Sequence, residues 1–502
     1  MIDYTVQARI AYLSWLEAED SAVVSWLRTI RDYAEGRHPV YLTDRQKEFI
    51  GLLAKSTSHL YAHNLCGLVV DTVVERLKVA GFAAAEGAGE SETIASYVRQ
   101  WWEANRMDAG QDDLYEATVR DGDAYLIADW DGVKKQPRWT LNYSFDGTQG
   151  CRTHYDPSTN LPVFVSKRWQ TYDPFTPEQS GLTRLNLYFP DRVEKYIATR
   201  KGDGIEGELG GVKHRVGWKQ WTDTSGEPWP VPWVDVAGAP LGLAALRFAN
   251  PGGSEISDIV SLQDLLNKAD LDLIAAEDIS GFRILFASGL APDIDASTGA
   301  EKAITLSPGH LIRLSDAAAR LGAIEPSDLS RMIEVCRYWI ECIAAVSRTP
   351  QYLFRASGAD QPSGESLKQQ EIGLLSKCER KHGVFGNSWE DVAYLSTKLW
   401  TLNTGEAIPL GRLQVQWKPV QTKDDRETWE LASMKQGAGV PKEQTWAEAG
   451  YTPEQIAVMK AMARREEADR ANSLALAMIE QQRAFDRGQG QGQEETGAGA
   501  GM

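Results

Sequence analysis

The stretch Arg348-Thr-Pro-Gln-Tyr-Leu-Phe-Arg-Ala-Ser-Gly-Ala-Asp-Gln-Pro-Ser-Gly-Glu-Ser-Leu367 decides how the rest of the chain is read. An apolar pattern of helical period runs up to Thr349-Pro350 and stops, and a new helix is predicted to open near Ser363. Between them stand Gly, Ser, Asp and Pro, the residues of turns. The pattern predicts a long flexible loop between two helices, with small polar residues at its tip. Loops of that length inside a compact architecture are uncommon and usually functional.

Upstream, Pro326-Ser-Asp328 starts a helix expected to carry Met332, Val335, Cys336, Trp339, Ile343 and Val346 on one face. Before it, Arg283 to Asp316 holds short apolar runs (Ile284–Phe286, Ala303–Leu306, Leu311–Leu314) broken by Gly, Pro and Asp, a small strand-containing insertion. Asn250-Pro-Gly-Gly253 is a strong break, after which Glu255 to Phe282 reads as one helix of about 42 Å. Its expected stripe is Leu262, Leu265, Leu266, Ala269 and Leu273, with Asp264 opposite, and it is markedly acidic. The chain thus runs out along one helix, through a tip, and back along another of about 33 Å.

Downstream, Gly364 to Trp400 is a long helical stretch that Gly383 and Gly386 are expected to kink. Leu413 to Trp417 alternates like a strand. Thr452-Pro-Glu-Gln455 signals the start of a last helix reaching about Asp486. Gly488 to Met502 has the composition of a disordered tail.

The first roughly 120 residues read as helical, with a capping box at Thr43-Asp-Arg-Gln46 and helices at Asn64–Leu77, Glu92–Asn105 and Ala109–Arg120. From Asp123 the period changes, and Ala124–Trp130, Pro162–Trp169, Thr183–Phe189, Val193–Arg200 and Lys213–Trp221 read as antiparallel strands. Trp130, Trp139, Trp169, Trp218, Trp221, Trp229 and Trp233 fall here and are expected to fill cores. The fold class is α+β.

The 502 residues allow two to four domains, and 42% hydrophobic with 25% charged is ordinary for a globular protein. Met1 to Arg9 lacks the basic start and apolar run of a signal peptide, and the apolar run Val236–Leu246 falls short of the ~20 residues that span a bilayer. A soluble protein made in the cytoplasm is expected. Cys66, Cys151, Cys336, Cys342 and Cys378 are scattered without a CxxC pair, which argues against a disulfide framework or zinc site. A net charge of −17 argues against tight, static nucleic-acid binding but suits a conduit through which DNA slides.

Gly202-Asp-Gly-Ile-Glu-Gly207 has GxGxxG spacing but leads into strand-like sequence, so a hairpin turn is expected. His59 and His63 have metal-pair spacing without a third ligand and read as helix-surface residues. Asp121, Asp123, Asp129 and Asp131 supply a rival reading, a metal-dependent DNA-processing enzyme. The Trp content suggests a third, an adhesive carbohydrate-binding protein, which lacks an aromatic platform flanked by Asn or Asp. The basic clusters Lys134-Lys135, Arg200-Lys201 and Lys213-His-Arg215 read as solvated loop faces. No nucleophile elbow, Walker loop or HExxH appears, and no catalytic residue, metal or cofactor is expected.

Thr349-Pro350-x-x-x-Phe354 with Gly358 and Gln361-Pro-Ser-Gly-Glu-Ser-Leu367 resembles the tunnel-loop segment of tailed-phage portal proteins of the SPP1-like family, those of actinobacterial phages above all. Further blocks resemble the same family in order. They are Asn64 to Asp71 with Arg76 to Phe82, Trp102 to Asp108, Asp121 to Tyr125, Leu187 to Tyr196, Ser257 to Lys268, and Phe385 to Glu390.

The resemblance implies a ring, usually a dodecamer, at one capsid vertex of the virion. Double-stranded DNA passes through it, and it docks the terminase large subunit, the major capsid and scaffolding proteins and the head–tail connector. In the family's terms the wing is 1–250 (helical to 122, β-rich from 123), with stem helices at 251–282 and 326–347. A small α/β clip spans 283–325 and the tunnel loop 348–366. A long helix with a wing return strand fills 367–420, followed by a crown at 421–487 and a tail at 488–502. The clip is short for the family, and Val236 to Gly242 is poorer in proline than the family's segment before the stem. Arg348, Leu353, Phe354, Arg355, Ser357, Gly358, Ser363 and Gly364 become the candidate channel residues.

Overall fold

The computed structural model describes residues 23–39, 63–84, 90–171, 182–198, 205–209, 212–224, 226–281, 285–288, 320–323, 328–354, 364–408, 413–421, 425–451 and 453–491. Helix α1 over 23–34 buries Val24, Leu27, Ile30 and Tyr33, spaced three residues apart. α2 (Leu65–Val74) is capped by Asn64, whose side chain accepts from the Gly67 amide. After it come β1 (Val79–Ala84), α3 (Glu90–Ala104) and α4 (Met107–Asp121).

β2 (Asp123–Asp131) pairs antiparallel with β3 (Gln136–Tyr143) on one side and β12 (Ala245–Ala249) on the other. It has a sheet neighbour on both edges and α4 against it, so Ala124 to Ala128 form an unbroken buried run. A six-stranded sheet is ordered β10-β7-β6-β5-β4, with β11 also on β7. Its strands are β4 (Gly150–Tyr155), β5 (Pro162–Gln170), β6 (Thr183–Tyr188), β7 (Arg192–Ala198), β10 (Trp218–Gln220) and β11 (Val231–Pro232). β8 (Ile205–Leu209) and β9 (Val212–Val216) form a separate hairpin.

α5 (Val260–Gly281) and α6 (Leu329–Ser347) pack together, and between them β13 (Leu285–Ser288) pairs with β14 (Arg320–Ala323). α7 (Gly364–Thr404) is one helix of 41 residues, about 62 Å. β15 (Leu413–Trp417) returns to pair with β1. α8 (Asp425–Gly437), α9 (Lys442–Glu448) and α10 (Pro453–Gln491) complete the described chain.

The main core gathers around α7. Leu374, Cys378, Phe385, Trp389 and Val392 are fully buried. The Trp389 ring lies 4.8 Å from Trp102 and 5.0 Å from Phe248, and its indole N–H donates to the Tyr115 hydroxyl at 2.7 Å. Trp139 and Trp218 fill cores as expected, while Trp169 and Trp221 are half-buried.

Several expectations are corrected. Lys213–Trp221 is two strands divided at Gly217, the first pairing with β8 and the second with β7. The pattern missed β1, β3, β4, β8, β11, β12 and β14, which are short or interrupted by Gly81, Pro137, Gly207 or Gly322. α5 begins at Val260 because Glu255 is engaged elsewhere, its amide on the Val119 carbonyl. On α5 Leu266 is buried with Gln263 and Asn267, whereas Leu265 is exposed and Asp264 accepts from the Tyr33 hydroxyl. On α6 the packed stripe is Cys336, Ile343, Ala344 and Ser347, with Val335 and Val346 exposed. α7 runs unbroken through Gly383 and Gly386. α10 extends to Gln491, into the predicted tail, since lengthening an existing helix costs little. The capping box at Thr43–Gln46, His59, Thr452 and residues 492–502 lie outside the described residues, as does most of the predicted insertion.

Candidate functional site

α6 ends at Ser347, and Arg348 turns the chain with φ 54°, its amide bonding back to the Ala344 and Ala345 carbonyls. That left-handed geometry costs a non-glycine residue about 1 kcal/mol and is held in place by the buried residues after it. Thr349 and Pro350 are buried, and the Ser347 and Thr349 hydroxyls meet at 3.0 Å. One 3₁₀ turn then spans Gln351–Phe354. The start of the predicted loop is therefore a built turn.

The Tyr352 hydroxyl donates to Oε1 of Glu371 on α7, and the same oxygen accepts from Arg76 at 3.4 Å. Arg76 also donates to the Thr72 carbonyl at the end of α2, so the turn is tied to two helices. Burial, then Glu371, pushes the Tyr352 hydroxyl up to about 12. Its raised value gives a contribution fully present below the unfolded value near 10 and lost as pH rises through about 12. Tyr352→Phe is expected to cost about 1–2 kcal/mol in urea unfolding at pH 7. A loss indistinguishable from zero would show that the tie is not formed.

Within the next three helical turns, α7 carries a second anchor. Lys381 is 1% exposed, and its ammonium donates to Asn250 Oδ1 and Glu255 Oε1. Lys377 donates to Glu255 Oε2 at 2.7 Å and to the Ser347 carbonyl at 2.6 Å. That carbonyl, in the last turn of α6, lacks an intrahelical partner, and a cation suits the negative end of the helix. Burial alone would push the Glu255 carboxyl up, but Lys381 and Lys377 outweigh it and hold the group below its ordinary value. The node joins the break before α5, the end of α6 and the body of α7.

Of the candidate channel residues, Arg348 is exposed, and Leu353 and Phe354 are half-buried, Phe354 against the main core. Gly364 is the first residue of α7. Arg355, Ser357, Gly358 and Ser363 lie outside the described residues. Arg348 also meets α7 directly: a Cβ on Gly373 would sit 3.6 Å from that of Arg348. Glu255, Lys377, Lys381, Glu371, Tyr352 and Arg76 went unread because no motif joins them.

The carboxylates of the rival reading do not converge on a metal site. Asp121, fully buried, is held by Arg31 and Arg120, each at 2.8 Å. Asp123 takes Arg247 at 2.6 Å and the Ser144 hydroxyl. Asp129 pairs with Arg138, and Asp131 accepts the amides of Val133 and Lys134 in a turn. Asp121, Asp123 and Arg247 line a cavity of about 470 Å³ walled by Val23, Trp26 and Ile30. Among the described residues no group of three or more His, Cys, Asp or Glu could hold a metal ion. His63 bonds Asp270 at 3.1 Å. Gly207 lies in β8, so the GxGxxG run leads into a hairpin strand. The five cysteines are free, and no described helix is long and apolar enough to cross a membrane.

The model of the family "Phage portal protein, SPP1 Gp6-like" matches residues 55–470. The portal protein of Mycobacterium phage D29 is 25% identical over 456 residues, covering 87% of this chain and 85% of the phage protein. That of Mycobacterium phage L5 is 25% identical over 496 residues, covering 92% and 91%. A solved chain described as the neck of an empty GTA particle computed with C6 symmetry aligns with a TM-score of 0.39 and 12% identity. That alignment covers 82% of this chain and 95% of the other.

Proposed function

The chain belongs to the SPP1 Gp6-like family of phage portal proteins, and from that premise we propose how its parts serve a ring at the capsid vertex. As a portal protein it is a structural component of the virion. We assign α5 and α6 to the stem, the segment between them to the clip, the strands and helices before Asn250 to the wing, and α8 to α10 to the crown. The ring is a dodecamer, DNA passes through its channel, and the terminase large subunit, capsid and scaffolding proteins and a head–tail connector dock on it. The chain has no catalytic activity of its own.

The observation that carries the channel assignment is the turn at 348–354, which leaves the end of α6 with Arg348 exposed and is tied to α7 through Tyr352. Lys377 and Lys381 tie both stem helices to α7, and Tyr352 ties the first turn of the loop. A turn tied down on α7 that leaves Arg348 exposed suits a segment meeting DNA in transit. Each contact with a phosphate is weak, because exposed charges are screened within about 8–10 Å at physiological salt. Weak contact allows sliding.

Negative-stain images of the purified protein are expected to show rings with a central hole, and a stable monomer under all conditions, including co-expression with capsid proteins, would refute the ring. Deleting Ala356 to Gln361 is expected to leave folding and rings intact while lowering the DNA packaged or retained. Wild-type packaging by that variant, or loss of its fold, would refute the loop's role.

A further inference from the structure

α10 spans 39 residues, about 58 Å, and its first turns rest on α9, where Lys460 pairs with Glu443 at 2.6 Å. Beyond them, residues 461–470, 473 and 475–479 are all exposed. Helices in proteins draw most of their stability from packing an apolar face. This one presents such a face uncovered: Val458, Met462, Leu476 and Ile479 are 49–62% exposed. At 3.6 residues per turn they fall within an arc of about 100°, and Arg465 and Asp469 occupy the middle of the same arc. Met478, 61% exposed, points about 160° away from Leu476.

We infer that the uncovered face of α10 packs against the opposite, Met478-bearing flank of α10 in a second copy of this chain. The charge pattern selects that occupant. Arg464, Arg465, Glu466, Glu467, Asp469 and Arg470 balance in sign, and none makes an ion pair among the described residues. A helix offering both signs on both flanks is complementary to another copy of itself in near register, so that Arg465 on the uncovered face of one reaches Glu467 on the Met478 flank of the next. Two unlike faces of one helix make a head-to-tail contact, which propagates around a ring and does not close as a pair. The inference rests on the ring reading and adds to it a named seam.

The test uses the full chain carrying Leu476→Cys with Met478→Cys, oxidised mildly and run on a denaturing gel without reductant. The native thiols are buried or half-buried, so the unsubstituted chain is the control. A ladder of dimers, trimers and larger species is expected from the double variant, and no more than the control level from Leu476→Cys alone. Rings in electron micrographs of the same sample without a ladder overturn the seam and spare the ring reading. No rings and no ladder overturn both. Dimers alone from Leu476→Cys would mean a two-fold contact and overturn the seam, as would cross-links to a capsid protein in place of the ladder on co-expression.

Discussion

Glu255→Ala is expected to destabilise the folded chain by about 3–5 kcal/mol, because it strands two ammonium groups in the interior. The side chains of Lys381 and Lys377 are 2% and 13% exposed, and Glu255 supplies one carboxylate oxygen to each. Lys381 would keep only the Asn250 amide oxygen, and Lys377 only the Ser347 carbonyl. Neither acceptor carries a full charge. Lys377→Met removes the less buried cation, leaves the Lys381–Glu255 pair whole, and is expected to cost less. The measurement is the urea midpoint of each variant at constant slope. Acid titration supplies the sign. The Glu255 carboxyl is held below its ordinary value, so its contribution is present above the unfolded value near 4.3 and is lost as pH falls through the folded one. The gap between wild type and Glu255→Ala should be flat from pH 6 to 8 and close in acid. A gap under about 1 kcal/mol at pH 7 would mean that water reaches the lysines.

This node shows what the sequence could and could not disclose. Periodicity located α5, α6, α7 and α10, and the structure buries Leu374, Cys378, Phe385 and Trp389 along one stripe of α7. Lys381 falls on that stripe, seven residues after Leu374 and four before Phe385. A lysine in a core phase demands a buried anion, and that was the available signal. Its partner was not legible, since Glu255 is brought there only by the fold. The stripe on α6 was right at Cys336 and Ile343 but drawn too wide, because Val335 and Val346 are as apolar as the residues that pack, and only the direction of α5 decides which of them are covered. Short strands such as β4 and β12 were missed because their neighbours in the sheets, not their own few residues, specify them. The turn that begins the proposed channel loop was not legible. Gln351 to Phe354 has no helical repeat long enough to read.

Asp121→Ala tests the other buried charge centre, and with it the enzymatic alternative. The carboxylate is inaccessible to water and joins Arg31 on α1 to Arg120 on α4. Arg31 reaches on to Asp146 at 3.0 Å and the Ser144 carbonyl at 2.9 Å, so Asp121 is the pivot holding α1 on the strand-rich part. Removing it leaves two guanidinium groups close together, each with some access to water at 17% and 14% exposure. The expected loss is therefore near the lower end for a broken buried pair, about 3 kcal/mol, again read from urea unfolding. Asp121→Asn keeps the shape and one oxygen acceptor and should lose about half as much. A metal-dependent nuclease makes a different forecast for the same residue. It requires plasmid nicking by the wild type with Mg²⁺ or Mn²⁺, and its disappearance in Asp121→Asn or Asp123→Ala under conditions where the variant is still folded. The geometry favours the first outcome, because the oxygens that would bind a metal are already taken by arginines. Stability lost with no nicking to lose fits a chain whose carboxylates hold a ring subunit in shape. Nicking lost from a folded Asp121→Asn protein would overturn that account.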